Sequence, residues 1–182
     1  MAEFHNKNVS DVSLKPFDVL DIDDHMEWAT DEKTAKFCSW EPFHTKAEFL
    51  KYYNNCVLTH PWIRAVCLRN KPVGYILVTP NLTGMDQCRA EIGYGLGSKY
   101  WGKGIATSAV KIVVAESFKE QPHLRRIEAF VDVENVASQK VLEKAGFSKE
   151  GVLREYLILK GRVRNMVLFS ILSTDGVSPN AS

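Results

Sequence analysis

No part of this sequence is apolar for long enough to cross a bilayer. That takes roughly 18–20 residues, and polar residues interrupt every apolar run well short of it. Charge of one sign is missing too. Twenty-three Lys and Arg against 22 Asp and Glu leave a net charge of +1, with no basic run, so neither nucleic acid nor a membrane surface is an expected partner. Cys38, Cys56, Cys67 and Cys88 show no metal-type spacing and have apolar or aromatic neighbours, and the histidines are scattered. That excludes a zinc signature and favours reduced thiols of an intracellular, cytoplasmic protein (or a nuclear one), with no metal. The start, Met-Ala-Glu-Phe-His-Asn-Lys-Asn, has no signal-peptide core. Internal repeats and composition shifts are also lacking. The 182 residues are therefore expected to form one domain over 12–172, with a loose arm at 1–11 and a disordered tail at 173–182.

What is present is alternating strand and helix patterning. Val12 to Leu20 reads as an edge strand, because Pro16 is tolerated there. Asp21 to Asp24 offers cap oxygens to a short helix with Met26, Trp28 and Ala29, and Thr45 caps a second with Phe49, Leu50, Tyr53 and Val57. From Trp62 the period becomes two, and Arg69-Asn-Lys-Pro turns the chain into a returning strand over 73–78. A helix runs from Gly104 to about Lys119, a strand from Arg126 to Val133, and a short helix from the cap Asn135 to Gly146. Two last strands flank Lys160-Gly161.

The chain is organised around Glu91 to Thr107: Glu-Ile-Gly-Tyr-Gly-Leu-Gly-Ser-Lys-Tyr-Trp-Gly-Lys-Gly-Ile-Ala-Thr. A strand passes through a glycine-rich turn into a helix start, where unpaired amides and the helix dipole favour an anion. Glycines at Gly102 and Gly104 keep Cβ atoms out of its way. Gly97 to Lys103 fits most of a P-loop, but Gly104 stands where a magnesium-binding hydroxyl belongs. The dinucleotide fingerprint fails for want of its third glycine. A phosphate or pyrophosphate cradle and a plain helix-start turn both remain open on these residues alone. Gly93 and Gly95, inside a strand, point to a bulge or a close backbone approach.

Lys99-Tyr-Trp-Gly102-Lys-Gly104 resembles the pyrophosphate loop Q/R-x-x-G-x-G/A of the GNAT superfamily of N-acetyltransferases, departing from it only at the first position. Tyr-Trp-Gly-Lys-Gly-Ile-Ala, together with Glu-Asn-Val-Ala-Ser-Gln-Lys-Val-Leu-Glu-Lys-Ala-Gly-Phe from Glu134, is similar to the branch of ribosomal-protein-alanine acetyltransferases and their spermidine- and drug-acetylating relatives. The resemblance covers roughly Val12 to Leu172. It implies an α/β (α+β) fold with a mixed, mostly antiparallel sheet of six to seven strands, about four flanking helices and splayed central strands. It also implies an acetyl-CoA-dependent enzyme that moves an acetyl group to a primary amine, either a protein N-terminus or a small amine or polyamine, as a monomer or homodimer.

The resemblance further implies that Trp101, Gly102, Lys103, Gly104, Ile105, Ala106 and Thr107 hold the pyrophosphate. Tyr94, Gly95 and Leu96 line the pantetheine arm and offer an oxyanion donor, and Asn135 and Ser138 touch the cofactor from the following helix. Lys103 either adds a charge or is simply solvated. Glu91 is the first candidate for the base, its alternative being an exposed strand glutamate. Many relatives place a tyrosine on the Asn135 helix, and this chain has none there. Ser138 then becomes the candidate acid for the leaving sulfur, or else an ordinary first-turn hydrogen-bonder. Trp40 and Glu41 on one side and Tyr156 on the other would wall the amine groove. Relatives carry Arg-Asp where Arg164-Asn165 stands, so one negative charge is missing. A non-catalytic acyl-CoA-binding or partner-recruiting module is the rival reading.

Overall fold

The computed structural model describes residues 11–176. Most of the expected arm at 1–11 and of the expected tail at 173–182 lies outside the described residues. At the near end, Asp11 O accepts from Arg69 N–H at 3.0 Å. At the far end, Ser173 N–H donates to Arg125 O at 3.0 Å and Asp175 N–H to Leu172 O.

The described residues form one seven-stranded sheet in the order β1-β2-β3-β4-β5-β7-β6. Its strands are β1 (Val12–Lys15), β2 (Ile63–Leu68), β3 (Lys71–Pro80), β4 (Arg89–Leu96), β5 (Arg126–Asp132), β6 (Ser148–Leu159) and β7 (Arg162–Leu172). All neighbours are antiparallel except β4 and β5. β1 is the expected edge strand but stops at Lys15. Pro16 offers no N–H to extend the ladder, and the Asp18 carboxylate caps a tight turn instead by accepting from Leu20 N–H at 2.9 Å. Two hairpin turns use left-handed backbone, at Arg69-Asn70 and at Lys160-Gly161, which suits the twist of the flanking strands.

Five α-helices among the described residues flank the sheet: α1 (Ile22–Ala29), α2 (Glu32–Ala35), α3 (Lys46–Tyr52), α4 (Ile105–Glu120) and α5 (Val136–Ala145). The one beyond expectation is α2, started by Asp31, whose carboxylate accepts from Lys33 N–H at 3.1 Å. Thr45 and Glu48 close a reciprocal capping box on α3. Asn135 caps α5, and Gly146, at φ 99°, ends it in the left-handed conformation. No helix among the described residues is long and apolar enough to cross a membrane. All four cysteines are free thiols.

Two apolar clusters hold the layers together. The larger joins Ile76, Val78, Ile92, Ile127, Ala129 and Phe169 of the sheet to Val110, Val113, Val114 and Leu142 of α4 and α5. The smaller is aromatic, with Trp28, Trp40 and Phe49 packed with Phe17, Phe43 and Tyr75 under α1 to α3. His25 sits fully buried inside it, stacked on Phe17 at 4.7 Å and on Phe49 at 5.7 Å, with neither ring nitrogen hydrogen-bonded. Burial lowers its pKa, and nearby Asp21 offsets only part of that. An unfolded histidine titrates near 6.5 and the folded one lower, so between those two values the unfolded chain binds more protons. Stability should therefore fall as pH drops below about 6.5, by about 1.4 kcal/mol for each unit of lowering. Urea unfolding between pH 7.5 and 5 should show this acid limb, and His25→Phe should flatten it.

Candidate active site

The centre of the sheet opens into a V. β4 and β5 pair only at Arg89↔Arg126, Ala90↔Ile127 and Glu91↔Glu128. Beyond Glu91, β4 continues along β3 as far as Leu96, while β5 continues along β7 as far as Asp132. Residues 92–96 therefore face 129–132 across a gap, leaving strand-edge backbone groups on both sides for an extended guest to pair with. The register of β4 on β3 runs unbroken past Gly93 and Gly95, so neither marks a bulge there. Both make room for β3: a Cβ at Gly93 would stand 3.2 Å from Leu77, and one at Gly95 would lie 2.5 Å from the Tyr75 ring.

The open end of the V, beyond Leu96, leads to the N-terminus of α4. Gly102 and Gly104 take φ of +72° and +79°, and a Cβ built at either meets nothing within 4 Å. Gly104 provides no side-chain cap, and the first helical amide to reach a carbonyl is Ser108 N–H, on Gly104 O at 3.0 Å. The amides of Ile105, Ala106 and Thr107 remain as unpaired donors beside open space, which suits an anion. The Ile105 side chain is buried in the core, so only its backbone is on offer. The Trp101 indole N–H donates to Leu96 O at 2.6 Å, fastening the loop to the end of β4. Lys103 bends back to donate to Lys99 O at 2.9 Å.

A polar latch fixes this loop against α1 and α2. The Asp31 carboxylate accepts from Ser98 N–H at 3.0 Å and from the Thr34 hydroxyl at 2.6 Å, and Thr34 Oγ1 lies 3.4 Å from Leu96 O. Burial alone would raise the Asp31 pKa, but these hydrogen bonds from Ser98 and Thr34 outweigh it and hold the carboxyl at about 2. Glu27 on α1 adds an ion pair to Lys99.

Across the gap, Asn135 Oδ1 accepts from Ser138 N–H at 3.2 Å. The Tyr94 hydroxyl reaches over from β4 to lie 2.7 Å from Ser138 Oγ and to donate to Ser138 O at 3.1 Å. Burial pushes the Tyr94 phenol up, so it keeps its proton and acts as a hydroxyl donor. Glu91 stands at the vertex, on the opposite face of the sheet from Tyr94, and no hydrogen bond or ion pair engages its carboxylate among the described residues. Partial burial raises its pKa, and the charge of Glu128 beside it adds to the shift. Glu128 itself is held by Arg89 and Arg126, each at 2.9 Å.

The two outer walls differ. Trp40 is 7% exposed, stacked on Phe43 and bonded through Nε1 to the Tyr75 hydroxyl at 3.4 Å, so it supports its wall from within and presents little surface. Glu41 is exposed and paired with Lys160 at 2.9 Å. Tyr156 is half-exposed and stacks on Phe130 of β5, with ring centres 5.1 Å apart. A bulge in β6 between Leu153 and Leu157 sets its position. There Glu155 takes a left-handed φ of 50°, and its N–H donates to Asn165 Oδ1 at 2.7 Å.

The sequence model described as Acetyltransferase (GNAT) domain matches residues 11–148, most of the chain. This chain belongs to the GNAT acetyltransferase family. It is 43% identical over 95 residues to the uncharacterized N-acetyltransferase p20 of Bacillus licheniformis, covering 52% of this chain and 53% of that one. It is 33% identical over 84 residues to the [ribosomal protein uS5]-alanine N-acetyltransferase of Escherichia coli, covering 46% of this chain and 43% of that one. The chain thus spans about half the length of the curated relatives it matches. Among solved structures, the spermidine N-acetyltransferase of Vibrio cholerae in complex with CoA and spermine superposes with a TM-score of 0.73 at 21% identity, over 91% of this chain and 98% of that one. At that identity the likeness establishes the fold.

Within this GNAT domain, the structure brings Glu91, Tyr94, Gly95, Leu96, Asn135 and Ser138 to the edges of one gap and puts the 101–107 turn at its mouth. Sequence reasoning missed the Tyr94 side chain, the Asp31–Thr34–Ser98 latch and the contacts of Lys160 and Asn165. Only Asp31 left a local trace, as an acidic cap three residues before a threonine.

Proposed function

We propose that this chain is an acetyl-CoA-dependent N-acetyltransferase acting on a primary amine by direct attack on the thioester. The observation that carries the reading is the alignment of two features: the gap between β4 and β5, and the unpaired amides of α4 at its mouth. An extended, pyrophosphate-bearing guest needs both. Acetyl-CoA would supply an activated acyl carbon and a thiol leaving group.

The protein's share of the chemistry is binding, orientation and proton movement. Backbone amides of residues 102–107 would hold the pyrophosphate, and a β4 amide among Tyr94–Leu96 would donate to the carbonyl oxygen as charge gathers there. Glu91, with its raised pKa, would take a proton from the incoming ammonium, directly or through a water. Ser138 Oγ would give a proton to the sulfur. Its hydroxyl is kept in place by Tyr94.

Most carboxylates around the gap are already paired with cations, which favours an acceptor with few ammonium groups. Glu41 is paired with Lys160, Glu128 with two arginines, and Asp132 and Glu134 with Arg164. The uS5 enzyme and the spermidine enzyme stand for the two acceptor classes among proteins similar to this one. The charge balance here supports a protein N-terminus or small monoamine over a polyamine. A thiol-release assay with acetyl-CoA and a panel of peptides, monoamines and polyamines tests this. Turnover should be highest with monoamines. Saturable CoA binding with no amine-dependent release would make the chain an acyl-CoA-binding module instead.

A further inference from the structure

We infer that Lys160 is a specificity-determining residue, a strap that ties the two walls of the acceptor groove together and limits the bulk of the amine that enters. The inference rests on the acceptor-binding side of the reading above.

β6 and β7 belong to the β5 side of the gap, whereas α1 and α2 pack over β3 and the loop after β4. The β6–β7 hairpin runs on past the end of β5, since Asp132 pairs with Met166 and the turn comes only at Lys160-Gly161. From that tip the Lys160 ammonium reaches the opposite wall. It donates to Ala35 O at the end of α2 at 3.0 Å, and to Glu41 at 2.9 Å. These contacts join residues 125 and 119 positions apart, across the open end of the V.

The two bonds are not equal. Glu41 is 71% exposed, so solvent screens its pairing. The Ala35 carbonyl belongs to a fully buried residue at a helix C-terminus, where a cation is favoured. Lys160 keeps only a quarter of its side chain in solvent. The turn beneath it is tight, with Lys160 and Gly161 both in left-handed backbone. Further in, Asn165 pins the bulge that lays Tyr156 on Phe130. The acceptor must therefore pass between the aromatic ledge and the Lys160 side chain anchored on Ala35 O, which admits an amine on a slender carbon and resists one on a bulky side chain.

Peptides with N-terminal Gly, Ala, Leu and Phe provide the ladder. Two readouts are taken on wild type, Lys160→Ala, Lys160→Arg, Glu41→Gln and the double variant Lys160→Ala with Glu41→Gln: kcat/KM with acetyl-CoA, and calorimetric binding of the same peptides to the CoA-loaded protein. Lys160→Ala should raise the Phe-to-Gly ratio about tenfold or more, mainly through KM, and leave CoA affinity as in wild type. Lys160→Arg should hold the wild-type ratio. Glu41→Gln should shift it less than Lys160→Ala, and the double variant no further than Lys160→Ala alone. A changed binding ratio with no turnover in any variant would uphold the strap while sinking the catalytic reading. An unchanged ratio in both readouts for folded Lys160→Ala would overturn the strap.

Discussion

Replacing Gly104 with valine is expected to abolish CoA binding. The position is exposed, and a Cβ there meets no protein atom within 4 Å. It projects instead into the space beside the unpaired amides of Ile105, Ala106 and Thr107. Losing two charge-assisted hydrogen bonds of about 1.5–3 kcal/mol each would weaken binding by two orders of magnitude or more. The backbone adds a second cost, because φ at Gly104 is +79° and a β-branched residue is strained there by about 1–2 kcal/mol or more. Gly84 separates the two effects. It has φ of +78° and equally open surroundings, and it lies in the β3–β4 connection, away from the gap. Gly84→Val and Gly104→Val should lose similar stability in urea, and calorimetry should show CoA affinity lost only in Gly104→Val. Folded Gly104→Val with wild-type affinity would reduce the loop to a structural turn.

What the sequence showed and what it hid follow the range of the interactions. Thr45, Asn135 and Gly146 are helix-end signals within one turn, and each starts or ends the helix expected from it. In the sequence Gly102 and Gly104 leave room for an anion, and the structure adds a positive φ at each, with open space where a Cβ would stand. Gly93 and Gly95 mark no bulge, and the room they make for Leu77 and Tyr75 was hidden because those side chains lie in another strand. Trp40 reads equally well as a groove wall or as core until His25, Phe43 and Trp28 are assembled around the same centre. The contacts that shape the site, Tyr94 with Ser138, Asp31 with Ser98 and Lys160 with Ala35, are 44, 67 and 125 positions apart and leave no local pattern. The V was inferable only through the family resemblance. Its physical form is a parallel pairing that stops after Glu91.

Glu91→Gln should act on turnover and leave CoA affinity intact. The side chain stands at the vertex of the V, on the sheet face opposite the helices that carry Ile105 and Ser138, so removing its charge does not touch the anion cradle. Glutamine is nearly isosteric but cannot accept a proton. With an α-amine pKa near 8, about a tenth of the acceptor is already neutral at pH 7, so losing the base should lower kcat/KM by about tenfold there and by more at lower pH. The pH profile carries the argument further. Partial burial, with Glu128 adjacent, raises the pKa of Glu91 above the ordinary carboxylate value. The base form exists above that raised pKa, so wild-type kcat/KM should fall as pH drops through it. Glu91→Gln should lack this limb and follow only the amine's own deprotonation. As pH approaches about 8, where an α-amine is half neutral, the deficit should narrow, because the acceptor then arrives without the proton that Glu91 would remove. A deficit constant across pH 6 to 9 would instead make Glu91 a positioning group, and unchanged kcat/KM would leave it an exposed strand residue.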